Sequence, residues 1–197
     1  MIFQPTYFSP IYQFKQLLQA DEVTFEVYDN YQKQSYRNRF HIFNSNGFLS
    51  LSIPIKHNNA KRLLTRDALI ENDFNWQKNH FRSLKNSYQS SPYFEYYEDD
   101  IAPFYEKPQK YLLDFLLKTQ ELSLEMLQAD VSFSKTDSYQ DYTEKEDFRF
   151  MGNAKLKQDF PFIKYKQVFE EKHGFIPNLS ILDLIFNEGP NASSFLK

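Results

Sequence analysis

Two guanidinium groups two residues apart are the first chemistry in this chain. The run Lys33-Gln34-Ser35-Tyr36-Arg37-Asn38-Arg39 gathers cations around an amide, beside the acid Asp29. On a strand, Arg37 and Arg39 point to one face and Asn38 to the other. Like charges on one face repel unless an anion lies between them, and guanidinium forks grip phosphate or carboxylate in bidentate fashion. Lys33, Arg37, Asn38 and Arg39 are therefore candidate binding residues for a small anionic substrate. The ordinary alternative is a solvated hairpin face, or ion pairs with Asp29 and Glu26.

Lys56-His57 is a second candidate. A Lys-His pair at a strand end can bind an anion, and His57 is a candidate general base. An exposed pair at a loop start is the plainer reading. Trp76 and His80 fall one helical turn apart; a histidine on an apolar face is more often a hydrogen-bonded core residue than a ligand. Gln4 and Tyr7 define the first turn and can donate hydrogen bonds to a ligand. In nucleotidyltransferase-like α/β enzymes the turn at this place carries paired histidines that hold ATP phosphates. No histidine stands here, so imidazole chemistry is missing from the turn, and ATP is only a candidate cofactor.

Other chemistries find little support. His41, His57, His80 and His173 are scattered, with no HxxxH or HxH spacing, so no metal site is expected. Asp99-Asp100, beside Glu98, are sequence neighbours and do not share a helix face. There is no GxSxG, GxGxxG or Walker A motif, and the chain has 4 glycines in all.

Short elements must position these groups. Met1 to Gln4 reads as a strand, and Ser9-Pro10 as a helix opening followed by Ile11, Phe14, Leu17 and Leu18 at helical spacing. Val23 to Tyr28 alternates as a second strand. Strand, helix, strand in so short a span implies parallel pairing. Tyr36 to Phe43 and Phe48 to Ile55 flank Asn44-Ser45-Asn46-Gly47 and predict a β-hairpin. Helices are expected over Asp73 to Tyr88 with Asp73 as cap, from Ser91-Pro92 through Tyr105, and over Pro108 to Leu127. Val131 to Ser134 is a late strand candidate. Asp137 to Lys157 reads as a loop or mobile lid. Tyr165 to Phe169 suits a short strand or helix, and Ser180 to Asp183 resembles a capping box opening a last helix that Gly189-Pro190 ends. The expected fold is α/β: a Rossmann-like, mainly parallel sheet with a β-hairpin, followed by a helical section. The 197 residues read as a single domain, with a sheet-forming core over about 1–72, a helical section over 73–130, and a C-terminal part over 131–197 packing on the core.

Composition narrows the function classes. A net charge of −3 gives no bulk attraction to nucleic acid or anionic lipid. The absence of cysteine excludes disulfides and thiolate chemistry. The N-terminus lacks a basic region, and no apolar run approaches a membrane span; the expected location is the cytoplasm. Aromatic residues make up 18% of the chain, most simply as core with tyrosine hydroxyls at its rim.

These pieces together resemble the WbqC-like family of bacterial proteins. The matching residues are Gln4 to Pro10, Ala20-Asp21, Asn30 to Arg39, Leu51 to His57, Trp76 to His80 and Tyr88 to Tyr93. Tyr165 to Gln167 and Leu179 to Asn187 complete the match. The stretch Asp141 to Phe160 fits the pattern less clearly. Members sit in gene clusters for O-antigen and related polysaccharides, so the resemblance implies a transferase of cell-surface polysaccharide synthesis that passes a glycyl or other aminoacyl group to a nucleotide-activated amino sugar. The resemblance brings no residue roles with it; on the residues' own chemistry, Arg37 and Arg39 are expected to hold the diphosphate, His57 to take the amine proton, and Tyr7 and Gln4 to orient the substrate. Lys33, Asn38, Lys56, Trp76 and His80 line the same site. A scaffold protein without chemistry, and an ATP-using nucleotidyltransferase-like enzyme, are the competing readings. The expected partner is an anionic small molecule such as a nucleotide sugar, with no nucleic acid; a homo-oligomer is compatible with the chain.

Overall fold

A computed structural model describes residues 1–57, 62–156, 160–161 and 163–196. The chain opens with strand β1 (Ile2–Phe3), helix α1 (Ile11–Leu18) and strand β2 (Val23–Phe25). β1 and β2 pair in parallel, Ile2 opposite Thr24 and Phe3 opposite Phe25, as the strand–helix–strand pattern predicts. A late strand β5 (Phe133–Lys135) joins the other edge of β2, also parallel, to give the order β1-β2-β5. Beyond β1 the backbone at Asp147 forms a parallel bridge to Ile2, with Ile2 N–H donating to Glu146 O at 2.8 Å and Phe148 N–H to Ile2 O at 2.9 Å. The segment read as a loop is thus pinned to the sheet edge and then forms a 3₁₀ turn, Arg149–Gly152. Its last residue, 157, lies outside the described ones.

Strands β3 (Arg39–Asn44) and β4 (Gly47–Ser52) form the expected hairpin. Gly47 takes φ +100, a left-handed conformation that closes the turn and suits glycine. The hairpin is a two-stranded sheet of its own and does not join the parallel sheet. Its inner strand lies against helix α2 (Trp76–Tyr88): Phe43 N–H donates to Tyr88 Oη at 3.1 Å. The strand starts at Arg39, and residues 36–38 form a turn, so strand alternation does not govern Arg37.

The helical section is α2, α3 (Phe94–Ile101), α4 (Pro103–Glu106) and α5 (Leu112–Met126). The single helix expected through Tyr105 breaks at Pro103, which has no N–H to continue the ladder. α2 begins at Trp76 after Asn75, so Asp73 does not cap it. α5 begins later than Pro108 because the preceding backbone pairs elsewhere: Ile70 N–H donates to Lys110 O at 3.0 Å, and Leu112 N–H to Ala68 O at 2.9 Å. The C-terminal part carries α6 (Glu170–His173) and α7 (Ile181–Glu188), with a 3₁₀ run over Gly189–Leu196. Tyr165 to Gln167 is irregular, neither strand nor helix.

Both ends of the chain cap one another. Ile11 N–H, at the first turn of α1, donates to Leu179 O at 2.9 Å, and Tyr12 N–H to Asn178 Oδ1 at 3.0 Å. In return Ile181 N–H, at the start of α7, donates to Ser9 O at 2.8 Å. Leu182 N–H bonds the Ser180 hydroxyl, the cap the sequence suggests. Ser9 itself does not cap α1; Pro10 stands at that position. The core between these elements is aromatic: Phe3, Phe14, Phe25, Phe40, Phe115 and Phe186 are all buried in one cluster with Leu84, Leu116 and Leu184.

Candidate functional site

In a parallel sheet the strands' carboxyl ends all point one way, and side chains that follow them collect there. Gln4 follows β1, Glu26 to Asp29 follow β2, and Thr136 to Tyr139 follow β5. Arg149 follows the segment bridged at Asp147. They meet at a cleft of about 1000 Å³. Its walls are Gln4, Tyr28, Asp29, Asn30, Gln32, Arg62, Leu64, Tyr139, Tyr142, Glu144, Asp147, Arg149, Phe150 and Asn153.

Asp29 forms part of the floor, 8% exposed. Its Oδ1 accepts from the Thr65 hydroxyl at 2.6 Å, and Oδ2 accepts from Gln4 Nε2 at 2.8 Å and from Arg37 Nη2. The backbone of 29–31 runs against that of 63–65, with Tyr31 N–H donating to Leu63 O at 2.7 Å and Thr65 N–H to Asp29 O at 2.9 Å. Donors from separate stretches of the chain therefore hold one carboxylate still.

Arg37 stands behind it, 0% exposed. Burial holds its guanidinium below the usual arginine range, against the pull of Asp29. Its Nε and Nη1, and Nε of Arg39, have no hydrogen-bond partner among the described residues. Tyr31 lies near both guanidiniums; burial pushes its hydroxyl up to about 12, and the two cations oppose that rise.

The far wall is built on Arg149. Its Nε donates to Asp147 Oδ1 at 2.9 Å and its Nη2 to Asp147 Oδ2 at 2.6 Å, a bidentate pair. Nη1 donates to Gln140 O at 3.1 Å and faces the buried Glu26 Oε2 at 3.5 Å. The guanidinium carbon lies 4.9 Å from the ring centre of Tyr139 and 5.4 Å from that of Tyr142. The hydrogen bonds with Arg149 hold the Asp147 carboxyl below its usual range, and those with Asp147 raise Arg149.

The candidate residues from the sequence separate into groups. Gln4 and Arg37 come together through Asp29. Tyr7, Trp76 and His80 meet in the core: Tyr7 Oη lies 2.6 Å from Tyr105 Oη and 3.1 Å from His80 Nδ1. The Trp76 ring stands edge-on to His80 at 5.3 Å, and its Nε1 has no hydrogen-bond partner among the described residues. Burial pushes His80 down to about 4, so the ring is neutral, and Tyr7 is raised by burial and by Tyr105. Asn38 Nδ2 donates to Ile53 O at 3.0 Å, a structural bond at the hairpin base. Lys33 is exposed. Lys56 and His57 are exposed and outside the cleft; Lys56 borders a separate hollow of about 180 Å³ with Asn72 and Lys110.

Sequence reading missed Tyr139, Tyr142, Asp147 and Arg149, and treated Asp29 only as a neighbour of the cations. The available signal was the aromatic and charge density of 137–150, more than a passive loop needs. Among the described residues no cluster of acids and histidines fit to hold a metal is found, and no helix is long and apolar enough to cross a membrane.

The chain matches a family model described as the WbqC-like protein family over residues 4–151 and 135–195. Among curated proteins it is similar to "Uncharacterized protein Rv1507c" of Mycobacterium tuberculosis (strain ATCC 25618 / H37Rv). The two are 26% identical over 205 residues, 88% of this chain and 87% of that protein. No solved structure matches the chain.

Proposed function

The chain belongs to the WbqC-like protein family, and from that premise we propose that it is a group transferase of bacterial cell-surface polysaccharide assembly. The reaction proposed is passage of a glycyl or other aminoacyl group to the amine of a nucleotide-activated sugar. The observation that carries this reading is the cleft at the strand ends, lined by the tyrosines Tyr28, Tyr139 and Tyr142 and by the amides Gln4, Asn30, Gln32 and Asn153. Amides pair with hydroxyls as donor and acceptor at once, and tyrosine rings present flat apolar faces to a sugar or base. A polyhydroxylated ligand suits such walls better than an apolar one does.

The roles expected from the residue types are redistributed in this reading. Arg37, buried against Asp29, holds that carboxylate in place and does not grip a diphosphate itself. Arg62, exposed on the cleft wall, takes the diphosphate. Gln4 orients the sugar. Tyr7 and His80, buried together, support the first turn from below, and His57 lies outside the cleft.

One observation favours a second reading, a binding protein that holds an intermediate without chemistry. Asp29, Asp147 and Arg149 are each tied to partners within the protein. A thermal-shift screen with ATP, UDP- and dTDP-linked amino sugars, and glycine with and without ATP tests ligand class. Saturation at about 100 times Kd adds about 2.7 kcal/mol of stability. Mass analysis of the sugar after incubation with an activated aminoacyl donor then tests transfer. Stabilisation by nucleotide sugars with an aminoacylated product supports the transferase. Stabilisation without product supports the binding protein, and response to ATP alone overturns both.

A further inference from the structure

The charges facing the cleft are unequally committed. Arg149 gives its hydrogens to Asp147 and Gln140, faces Glu26, and lies beside the rings of Tyr139 and Tyr142. It has little left for a ligand. Arg37, the counter-ion of Asp29, is sealed behind it. The Asp29 carboxylate is different: it lines the cleft, is more than nine-tenths buried, and is held by donors on its inner side. Oδ2 takes two of those donors and Oδ1 takes one, Thr65. A carboxylate oxygen accepts two hydrogen bonds, so among the described residues Oδ1 keeps one acceptor site unfilled. Glu144, also on the wall, makes no ion pair among the described residues.

A ligand at the floor therefore meets a fixed negative charge with a vacant acceptor, while Arg62, the exposed cation on the cleft wall, is left for the diphosphate. At low local dielectric such a charge discriminates sharply between an ammonium and a neutral amide or hydroxyl. Burying an ion pair seldom stabilises a fold more than apolar packing of the same volume would, so the Asp29–Arg37 pair is better explained by what it presents to the cleft.

We propose that Asp29 is the binding residue for a protonated primary amine on a polyhydroxylated ligand, with Arg37, Thr65 and Gln4 as its positioning residues. The cleft then selects amino sugars over their N-acylated and hydroxyl counterparts. The inference rests on the functional reading above for the sugar, and adds the charge state and the residue that reads it.

The test is calorimetric titration of the full chain with the methyl glycosides of glucosamine, N-acetylglucosamine and glucose, and with the UDP-linked forms of all three. The expected result is binding of the amines at least ten-fold tighter than either counterpart in at least one series. That preference declines as pH rises past the amine's own pKa. Asp29→Asn abolishes the preference. Because Asp29→Asn strands the Arg37 charge, Asp29→Asn/Arg37→Met is prepared as well, and it also loses the preference. Equal or tighter binding of the N-acetyl form, binding of none of the series, or a folded Asp29 variant that keeps the preference overturns the proposal. An amine preference with no aminoacyl transfer leaves it standing while ending the transferase reading.

Discussion

Gln4 lies against Gly152 so closely that a Cβ on the glycine would overlap Gln4 Oε1. That contact aims the other end of the amide, Nε2, at Asp29 at 2.8 Å. Gln4 O meanwhile accepts from Gln13 Nε2 at 2.8 Å, which fixes its backbone to α1. The first strand's last side chain is thus set by a glycine from the far end of the chain.

Gly152→Ala forces Gln4 to leave Asp29 or the 3₁₀ turn to retreat. Overpacking of this kind costs about 1–3 kcal/mol. At this chain length each kcal/mol lowers Tm by roughly 2–4 °C. The expected outcome is a folded protein with a melting point lower by a few degrees and weakened ligand binding in the cleft. Unchanged Tm and affinity would show that Gln4 has no fixed role.

Removing one partner of a buried ion pair costs more than removing both. Arg37→Met leaves Asp29 with Gln4 and Thr65 alone, and should lower stability by about 3–5 kcal/mol. Arg37→Met/Asp29→Leu should recover a substantial part of that loss. Chemical denaturation followed through the protein's single tryptophan, Trp76, measures both. A double variant no more stable than Arg37→Met refutes the pairing as an energetic unit.

His41 and His80 are both held neutral, their pKa values pushed down to about 4 by burial. The unfolded chain protonates them near 6.5, so it binds more protons than the folded one between those values. Their contribution is complete above about pH 6.5 and is lost as pH falls toward 4. Each contributes up to about 3 kcal/mol on the scale of 1.36 kcal/mol per pKa unit. His80→Gln should flatten the acid limb of a stability–pH curve by about half, if His41 supplies the rest; an unaltered limb would sink the assignment.

Asp183 acts in the opposite sense. It is fully buried, accepts from Tyr88 Oη at 2.6 Å, Tyr165 Oη at 2.5 Å and Gln167 Nε2 at 3.1 Å, and burial pushes it up to about 6. Its folded pKa exceeds the unfolded one, so its contribution is complete below about pH 4 and is lost as pH rises through 6. Tyr88→Phe removes a donor to Asp183 and the acceptor of Phe43 N–H. The change should cost about 1–3 kcal/mol near pH 7 and less near pH 5, where the acid is protonated. An equal cost at both values would mean that Asp183 does not titrate in this window.

Much of the frame was legible in the residues. The parallel pair β1–β2 followed from apolar runs separated by a helical period, the hairpin from Asn-Gly at its turn, and α7 from Ser180. Local rules failed where distant backbone intervened. The start of α5 was delayed because 110–112 bond to 68–70, and α1 is capped from 178–179 in place of Ser9. Gln4 and Arg37 could be singled out by residue type, yet not the acid that unites them. Asp29, Thr65, Asp147 and Arg149 carry no spacing that marks them as neighbours.

Residue order alone decided most of the strand, turn and helix segments, because those choices depend on side-chain period and on φ preferences within a few positions; the ends of α1 and α5 were set by distant backbone. It also decided that cations, amides and tyrosines would be plentiful near the strand ends. Which of them meet was decided by the packed chain: parallel strands from opposite ends of the sequence aim their carboxyl termini into one cleft, and burial then sorts the ionisable groups. Arg37 and Arg39 looked alike on paper; only folding placed Arg37 behind a carboxylate, where desolvation demands a partner and Asp29 supplies it.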